Sequence, residues 1–287
     1  MQRRNILLGM LLLVLSLGSQ AAQIDIRTNF VPESAREQLP LRLLELALSY
    51  DTQNTYNIIQ HPESVNQERL RQMLSDGEFD LMWVGTRPEL EQSFIPIRVP
   101  LFKGLLGHRI FIIRNGDQAR FSQVQNFNDL LELQAGQGRF WGDTPILESA
   151  GINVVKPVKY PSLFHMLDGQ RFDYFPRGLH EPWGELGSFE QLSLAVEQEL
   201  MLVYPMPLYF FTNNNNPQLA KTIYDGLIRG TDEGKFNEIF LNNEAIKDAI
   251  ERSNIKSRRV FRISNPALSP ETPIDNEKLW FDVEASS

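Results

Sequence analysis

The sequence contains no cysteine, which excludes a structural disulfide, a thiolate nucleophile, a cysteine-ligated metal and a lipid-modified N-terminal cysteine. Histidine is scarce. His61, His108, His165 and His180 are the four present, and none stands in a pairing such as H-E-x-x-H that a catalytic zinc ion uses. No Gly-x-Ser-x-Gly elbow offers an activated serine. Positive charge is also short, with 28 Lys and Arg against 36 Asp and Glu and a formal net charge of -8. Nucleic-acid binding rests on clustered cations that neutralise phosphates, so this balance argues against it. Beyond the first two dozen residues, no apolar run approaches the ~18 residues that would span a bilayer.

What the sequence does contain begins with that first stretch. Gln2-Arg3-Arg4 is basic, Ile6 to Leu17 is almost wholly apolar, and Ser19-Gln20-Ala21 supplies small residues for a cleavage point. This order predicts a secretory signal peptide over residues 1–22, cut after Ala21 or Ala22, rather than a stable membrane anchor. Its removal takes away Arg3 and Arg4, leaving 26 basic against 36 acidic residues and a formal charge of -10. The remaining length, about 265 residues, suffices for one large or two modest domains with their own cores. The expectation is a soluble protein free in the periplasm.

Short strands then alternate with amphipathic helices. Ile24-Asp-Ile-Arg-Thr28 alternates with period two, as a half-buried strand does. Leu41, Leu44 and Leu48 mark one face of a helix running to Tyr50, and Tyr56-Asn-Ile-Ile59 reads as a second strand. Ser64 and Gln67 fit a capping box ahead of an apolar face of Leu70, Met73 and Leu74, and Gly77 would stop that helix. Asp80 to Val84 is a third strand, ending at Gly85-Thr86-Arg87-Pro88. The order predicts a parallel sheet with right-handed crossovers. After a strand over 107–114 and the turn signal Asn115-Gly116-Asp117, the alternation restarts, with helices over 127–132, 146–150 and 160–169 and strands over 153–158 and 172–175. The apolar run Leu200 to Phe211 is broken by Pro205 and Pro207. Pro217 then opens a helix with Leu219, Ile223 and Leu227 on one face, ended by Gly230. Few strands follow, so residues 206–287 are expected to dock on the first unit and cover the second face of its sheet.

Asp76-Gly-Glu-Phe-Asp80 and Thr86-Arg-Pro-Glu89 flank the third strand. Leu167-Asp-Gly-Gln-Arg-Phe-Asp173, Asn215-Asn-Pro-Gln-Leu219 and Asp232-Glu-Gly-Lys-Phe-Asn-Glu-Ile-Phe240 follow in that order. Together these stretches resemble the type II periplasmic solute-binding proteins, in particular extracellular solute-binding family 3 with its polar amino-acid receptors. The resemblance implies an α/β fold of two lobes, each a mostly parallel sheet flanked by helices, joined by two hinge crossings near Ile112–Asn115 and Leu202–Tyr209. The first lobe would comprise residues 23–113 and 206–287, with the C-terminal tail, and the second 114–205. It further implies a monomer that closes on a small-molecule ligand by hinge motion, without a cofactor. The partner would be a membrane permease of an ABC-type transporter, or a membrane kinase or cyclase if the protein is a sensor. A dehydratase on the same fold is the enzymatic alternative.

The loop Ala135-Gly-Gln-Gly-Arg-Phe-Trp-Gly-Asp-Thr-Pro145 looks like a phosphate cradle. Its glycines at 136, 138 and 142 do not match the dinucleotide fingerprint, and no Gly-Lys-Ser/Thr follows to make a P-loop. By position it resembles the family's second-lobe turn that opens a helix toward the cleft. Trp141, Asp143 and Thr144 are the candidates there, either as ligand-facing groups at a helix start or as caps of that helix. On the first lobe the candidates are Trp83, Gly85, Thr86 and Arg87. The family's receptors clamp the ligand carboxylate with an arginine shortly after the Thr-Pro-Glu turn, where Leu90 stands here. They hold its ammonium with an acid at the place of Gly178. Arg87 and Arg98 are the nearest substitutes for the missing arginine. At the second-lobe strand end stands Phe175-Pro-Arg-Gly-Leu-His-Glu181, where open α/β sheets bind ligands. Arg177 would pair a carboxylate or phosphate there, with hydrogen bonds from His180 and Glu181. The ligand expected is small and polar, and anionic if Arg177 faces it; no catalytic or metal site is expected. Glu148 and Glu181 are the one carboxylate pair considered for acid–base work. Trp280 and Phe281 are expected to anchor the proline-rich stretch 265–273 to the first lobe.

Overall fold

The computed structural model describes residues 22–31, 37–63 and 65–281. The signal peptide expected over residues 1–22 lies outside them, apart from Ala22. The first part of the chain runs β1 (Ala22–Arg27), α1 (Gln38–Ser49), β2 (Asn54–Ile59), α2 (Gln67–Ser75), β3 (Leu81–Gly85), α3 (Pro88–Ser93) and β4 (Ile95–Ile97). The middle part begins with β5 (His108–Arg114), α4 (Gln118–Phe121), α5 (Phe127–Leu131), β6 (Gln134–Gly136), α6 (Thr144–Ser149) and β7 (Asn153–Val155). It continues with α7 (Tyr160–Asp168), β8 (Phe175–Gly178), α8 (Pro182–Gly187), β9 (Leu194–Val196) and β10 (Leu200–Val203). The last part runs β11 (Leu208–Thr212), α9 (Pro217–Asp232), α10 (Lys235–Leu241), α11 (Glu244–Ser253) and β12 (Arg259–Arg262).

The strands sort into two bodies. In the first, β1 pairs in parallel with β2, and a bridge from Thr28 to Leu81 sets β3 on its other side. β11 inserts between β3 and β4, antiparallel to both. In the second, β6 pairs in parallel with β7, and Ala135 bridges to Tyr174 at the head of β8. β5 runs antiparallel to β8, β9 and β10, and β12 extends the sheet in parallel beyond β10. The sheets are therefore mixed. Strands of the strand–helix–strand units run toward the other lobe, whereas β5 and β11 bring the chain in from the hinge and must run away from it.

Pairing also locates the crossings. Residues 109–112, expected in the first lobe, pair with β8, so the passage between lobes lies at 98–107 rather than 112–115. Tyr204–Pro207 links β10 to β11 and carries the second passage. The C-terminal segment does not stay wholly on the first lobe, because Arg259–Arg262 register with Leu200–Val203 in the second sheet.

The packing follows from side-chain periodicity. α1 turns Leu39, Leu43, Leu44, Ala47 and Leu48 inward, each fully buried leucine contributing about 1.5–3 kcal/mol of transfer free energy. α9 lies against α1 through Gly226 and Gly230, four residues apart on one helical face. A Cβ on Gly226 would stand 2.2 Å from the Ala47 carbonyl oxygen, and one on Gly230 would stand 2.8 Å from Leu46. Gly230 therefore does not end the helix, which continues to Asp232; it permits close approach. In α2 the cap is Asn66, whose side chain accepts from the Arg69 N–H at 2.9 Å, and Ser64 lies outside the described residues. In β5 alternate residues serve different cores: Phe111 and Ile113 pack with Tyr174 and Leu202, while Ile112 packs with Phe164 and Phe175. The first lobe's core, with Leu43, Phe210 and Ile223, continues across the hinge to Ile110, Leu179 and Met201.

Candidate functional site

The parallel strands of both lobes end facing one another, and a cavity of about 170 Å³ lies between them. Asn29, just past β1, and Trp83, Val84 and Gly85 of β3 form one side, with Val65, Gln67 and Leu70 at the start of α2. Glu37 lines it from the N-terminus of α1, Phe102 and Leu106 from the first crossing, and Leu208 from β11. His180 and Glu181 close it from the second lobe.

Trp83 is fixed by two bonds. Its backbone N–H donates to Asn29 Oδ1 at 3.1 Å, and its indole Nε1–H donates to Glu37 Oε2 at 2.6 Å. Its ring stacks with Phe102 at 6.0 Å and 29°, and Phe102 stacks with His180 at 4.9 Å and 20°. A row of three rings thus runs from the first lobe through the hinge to the second. Such offset stacks add about 0.5–1.5 kcal/mol beyond area burial.

Beneath the second-lobe side lies a buried system of charges. Glu181 Oε2 accepts from the Gly178 N–H at 2.7 Å, and the carboxylate is 3.0 Å from Arg177 and 3.5 Å from Arg109. Arg177 is forked onto Glu185 at 2.8 and 2.5 Å, and its guanidinium lies 4.9 Å from the ring centroids of both Trp141 and Phe175. Tyr160 donates to the same Glu185 at 2.7 Å. Arg109, 2% exposed, pairs with Asp143 at 2.8 Å. Asp143 also accepts from Tyr204 at 3.2 Å and from Gln137. Burial pulls the Arg109 pKa down, but Tyr204, Asp143 and Glu181 outweigh it and leave it above the usual value. Burial acts on Arg177 in the same way and is outweighed by Glu181 and Glu185. Both guanidiniums stay charged, as buried cations do only when paired.

Two of the three glycines of the glycine-rich loop are required by packing, whereas at Gly142 an added Cβ would meet only Met206 at 3.6 Å, an ordinary contact. A Cβ on Gly136 would lie 2.2 Å from the Phe172 ring, and one on Gly138 would lie 2.5 Å from the Trp141 indole. Thr144 Oγ1 donates to the Gly138 carbonyl at 2.7 Å. Asp143 makes no side-chain capping bond to the six-residue α6; its carboxylate serves Arg109 instead.

Of the residues singled out in the sequence, Trp83, Gly85, His180 and Glu181 therefore meet at the cavity. Trp141, Asp143, Thr144 and Arg177 gather one layer below it in the second lobe, linked to it through Glu181. Thr86 and Arg87 lie beyond the lining: Thr86 Oγ1 donates to Glu91, and Arg87 sits at the N-cap of α3. Arg98 is bound to Glu91 at 2.7 Å and Glu271 at 2.9 Å. Glu148 pairs with Lys156, so it does not join Glu181. Asn29, Glu37, Gln67 and Phe102 were missed. Asn29 could have been found, since it directly follows the first strand, where open α/β sheets bind ligands. Phe102 gave no such signal, being one apolar residue in an apolar stretch.

Among the described residues no helix is long and apolar enough to cross a membrane, and no cluster of metal-binding side chains occurs. No family model matches the sequence, and no curated protein does. Solved structures match over most of the chain. The probable amino-acid ABC transporter extracellular-binding protein ytmK from Bacillus subtilis aligns at a TM-score of 0.58 and 12% identity, covering 79% of this chain and 100% of the other. An amino acid ABC transporter substrate-binding protein from Streptococcus pneumoniae, bound to L-arginine, aligns at 0.52 and 12%, covering 77% and 93%. An ancestral arginine-binding protein bound to arginine aligns at 0.51 and 12%, covering 76% and 96%. What these likenesses establish is the architecture: the chain has the two-lobed α/β fold of the type II solute-binding proteins.

Proposed function

We propose that the protein is a periplasmic solute-binding protein, which captures a small polar solute between its lobes by hinge closure and delivers it to the permease of an ABC-type transporter. The observation that carries this reading is the placement of the cavity, at the strand ends of both lobes and against the first crossing. A solute there touches both lobes at once and so favours their closed arrangement. The similar fold of amino-acid transporter binding proteins supports the same reading.

The lining bears on the solute. A cavity of about 150 Å³ holds a benzene molecule, so the cleft, at about 170 Å³, has room for a solute of at least that size. Its described polar groups are Asn29, Glu37, Gln67, His180 and Glu181, with no lysine or arginine among them. That set favours N–H and O–H donors on the solute over an anion. A thermal-shift screen against small amines, amino acids, polyols, carboxylates and phosphorylated metabolites tests the proposal. A ligand at a hundred times its Kd adds about 2.7 kcal/mol. Stabilisation by a small donor-bearing solute, lost in Glu181→Gln, is the expected result. Stabilisation by a carboxylate or phosphate that Glu181→Gln leaves unchanged would refute the assignment of the cleft.

A further inference from the structure

The C-terminal segment joins both lobes. Leaving α11, the chain turns at Asn254, a non-glycine residue with φ 50°, and buries Arg258 in the second lobe. That guanidinium donates to the carbonyls of Ser253 at 2.6 Å, Leu200 at 2.8 Å and Glu197 at 2.6 Å, and pairs with the Glu197 carboxylate at 3.2 Å. β12 then extends the second sheet. From there the chain passes back along the hinge, where Asn265 Nδ2 donates to the Pro205 carbonyl at 2.9 Å in the second crossing. It reaches the first lobe through Glu271 on Arg98 at 2.9 Å, Lys278 on Asp232 at 2.8 Å and Phe281 against Phe240 at 5.8 Å.

Its last described residues sit on the first crossing. Lys103 and Gly104 there both take left-handed backbone, at φ 47° and 80°. For lysine this conformation is uncommon and is held only by strong surroundings. Lys103 Nζ donates to the Lys278 carbonyl at 2.9 Å and to Asn237 at 3.2 Å, and the Phe281 N–H donates to the Lys103 carbonyl at 2.8 Å. The Trp280 indole, tied by Nε1–H to the Pro273 carbonyl at 2.8 Å, lies directly on Gly104, where an added Cβ would meet the ring at 2.5 Å. Hinge rotation is absorbed by φ/ψ changes at a few linker residues, and Gly104, one of two glycines in this crossing and the one with positive φ, is free to make them.

We propose that residues 259–281 form a latch across the hinge: with β12 fixed in the second lobe and Trp280 seated on Gly104, the lobes swing apart only after that ring lifts away. The inference holds whichever solute the cleft takes. It implies that the interlobe arrangement described here is held before any ligand arrives, and that the latch sets how wide the protein opens.

The absence of native cysteine makes the test direct. Spin labels at Glu89→Cys on α3 and Lys159→Cys ahead of α7, both exposed positions on opposite lobes, report the interlobe distance in the ligand-free protein by pulsed electron–electron resonance. In the Trp280→Ala background the distribution is expected to broaden and move to longer distances. Gly104→Ala, which displaces the ring from the other side, is expected to do the same. Distributions that match the parent in both folded backgrounds, or in whichever one folds, overturn the latch.

Discussion

Replacing Arg177 by alanine separates a ligand clamp from a structural ion. A clamp facing the cleft could be removed at little cost to the fold. The observed Arg177 side chain is 7% exposed and holds Glu185, 15% exposed, and Glu181, 18% exposed. Its loss would leave two carboxylates facing a void between Trp141 and Phe175. Removing one partner of a buried ion pair costs about 3–5 kcal/mol, and the residual solvent access of both carboxylates places this case near the lower end. About 3 kcal/mol corresponds to a fall in Tm of about 6–12 °C for a chain of this size. Urea unfolding followed by tryptophan fluorescence, with a thermal melt alongside, measures it. Arg177→Lys is expected to recover part of the loss, because the charge returns without the planar fork or the stacking. A stable Arg177→Ala protein that had lost solute binding would refute the reasoning, since it would place the guanidinium against the ligand.

Two further perturbations probe the hinge and the first lobe. Burial pushes the His108 pKa down from 6.5 to about 4, assisted by Arg262 and opposed by the bond to the Gly104 carbonyl. The folded state thus holds His108 neutral while the unfolded chain protonates it, so stability falls as pH drops from 6.5 toward 4. The loss is at most about 3 kcal/mol, and His108→Gln is expected to flatten that part of a pH–stability curve; an unchanged slope would show that His108 is not its source. Gly226→Ala forces a methyl group into the Ala47 backbone and is expected to cost about 1–3 kcal/mol in chemical denaturation. A neutral or stabilising result would mean that α1 and α9 separate freely.

Much of the fold was legible because periodicity and punctuation are local. The Leu44 and Leu48 face of α1, the alternation in β1 and the Pro217 start of α9 are all written within a few residues. What failed depended on distant partners. Gly230 reads as a stop until Leu46 is known to lie against it, and Arg177 reads as an exposed clamp until Glu185, on the following helix, folds back onto it. The loop at 135–145 reads as an anion cradle because glycines that serve a ligand and glycines that serve Phe172 and Trp141 look alike in sequence. β12 passed unnoticed because Arg259-Val-Phe-Arg262 is four residues long and finds its partner only in β10. Trp83, Gly85, His180 and Glu181, all at or just past strand ends, line the cavity, and strand ends are legible in sequence. Phe102 was not, since nothing local distinguishes it from its apolar neighbours.

The pairing of β12 with β10 bears on how the protein is made. Leu200-Met-Leu-Val203 is apolar and buried along its whole length, and one of its two hydrogen-bonding edges is covered only when residues 259–262 arrive. Until residues 259–262 are in place, that edge is an uncapped hydrophobic strand, the kind of template on which chains pair with one another. Truncated products and chains nicked after Ser253 should therefore aggregate rather than persist as partly active molecules. β12 thus closes an edge of the second sheet as well as anchoring the segment that crosses the hinge.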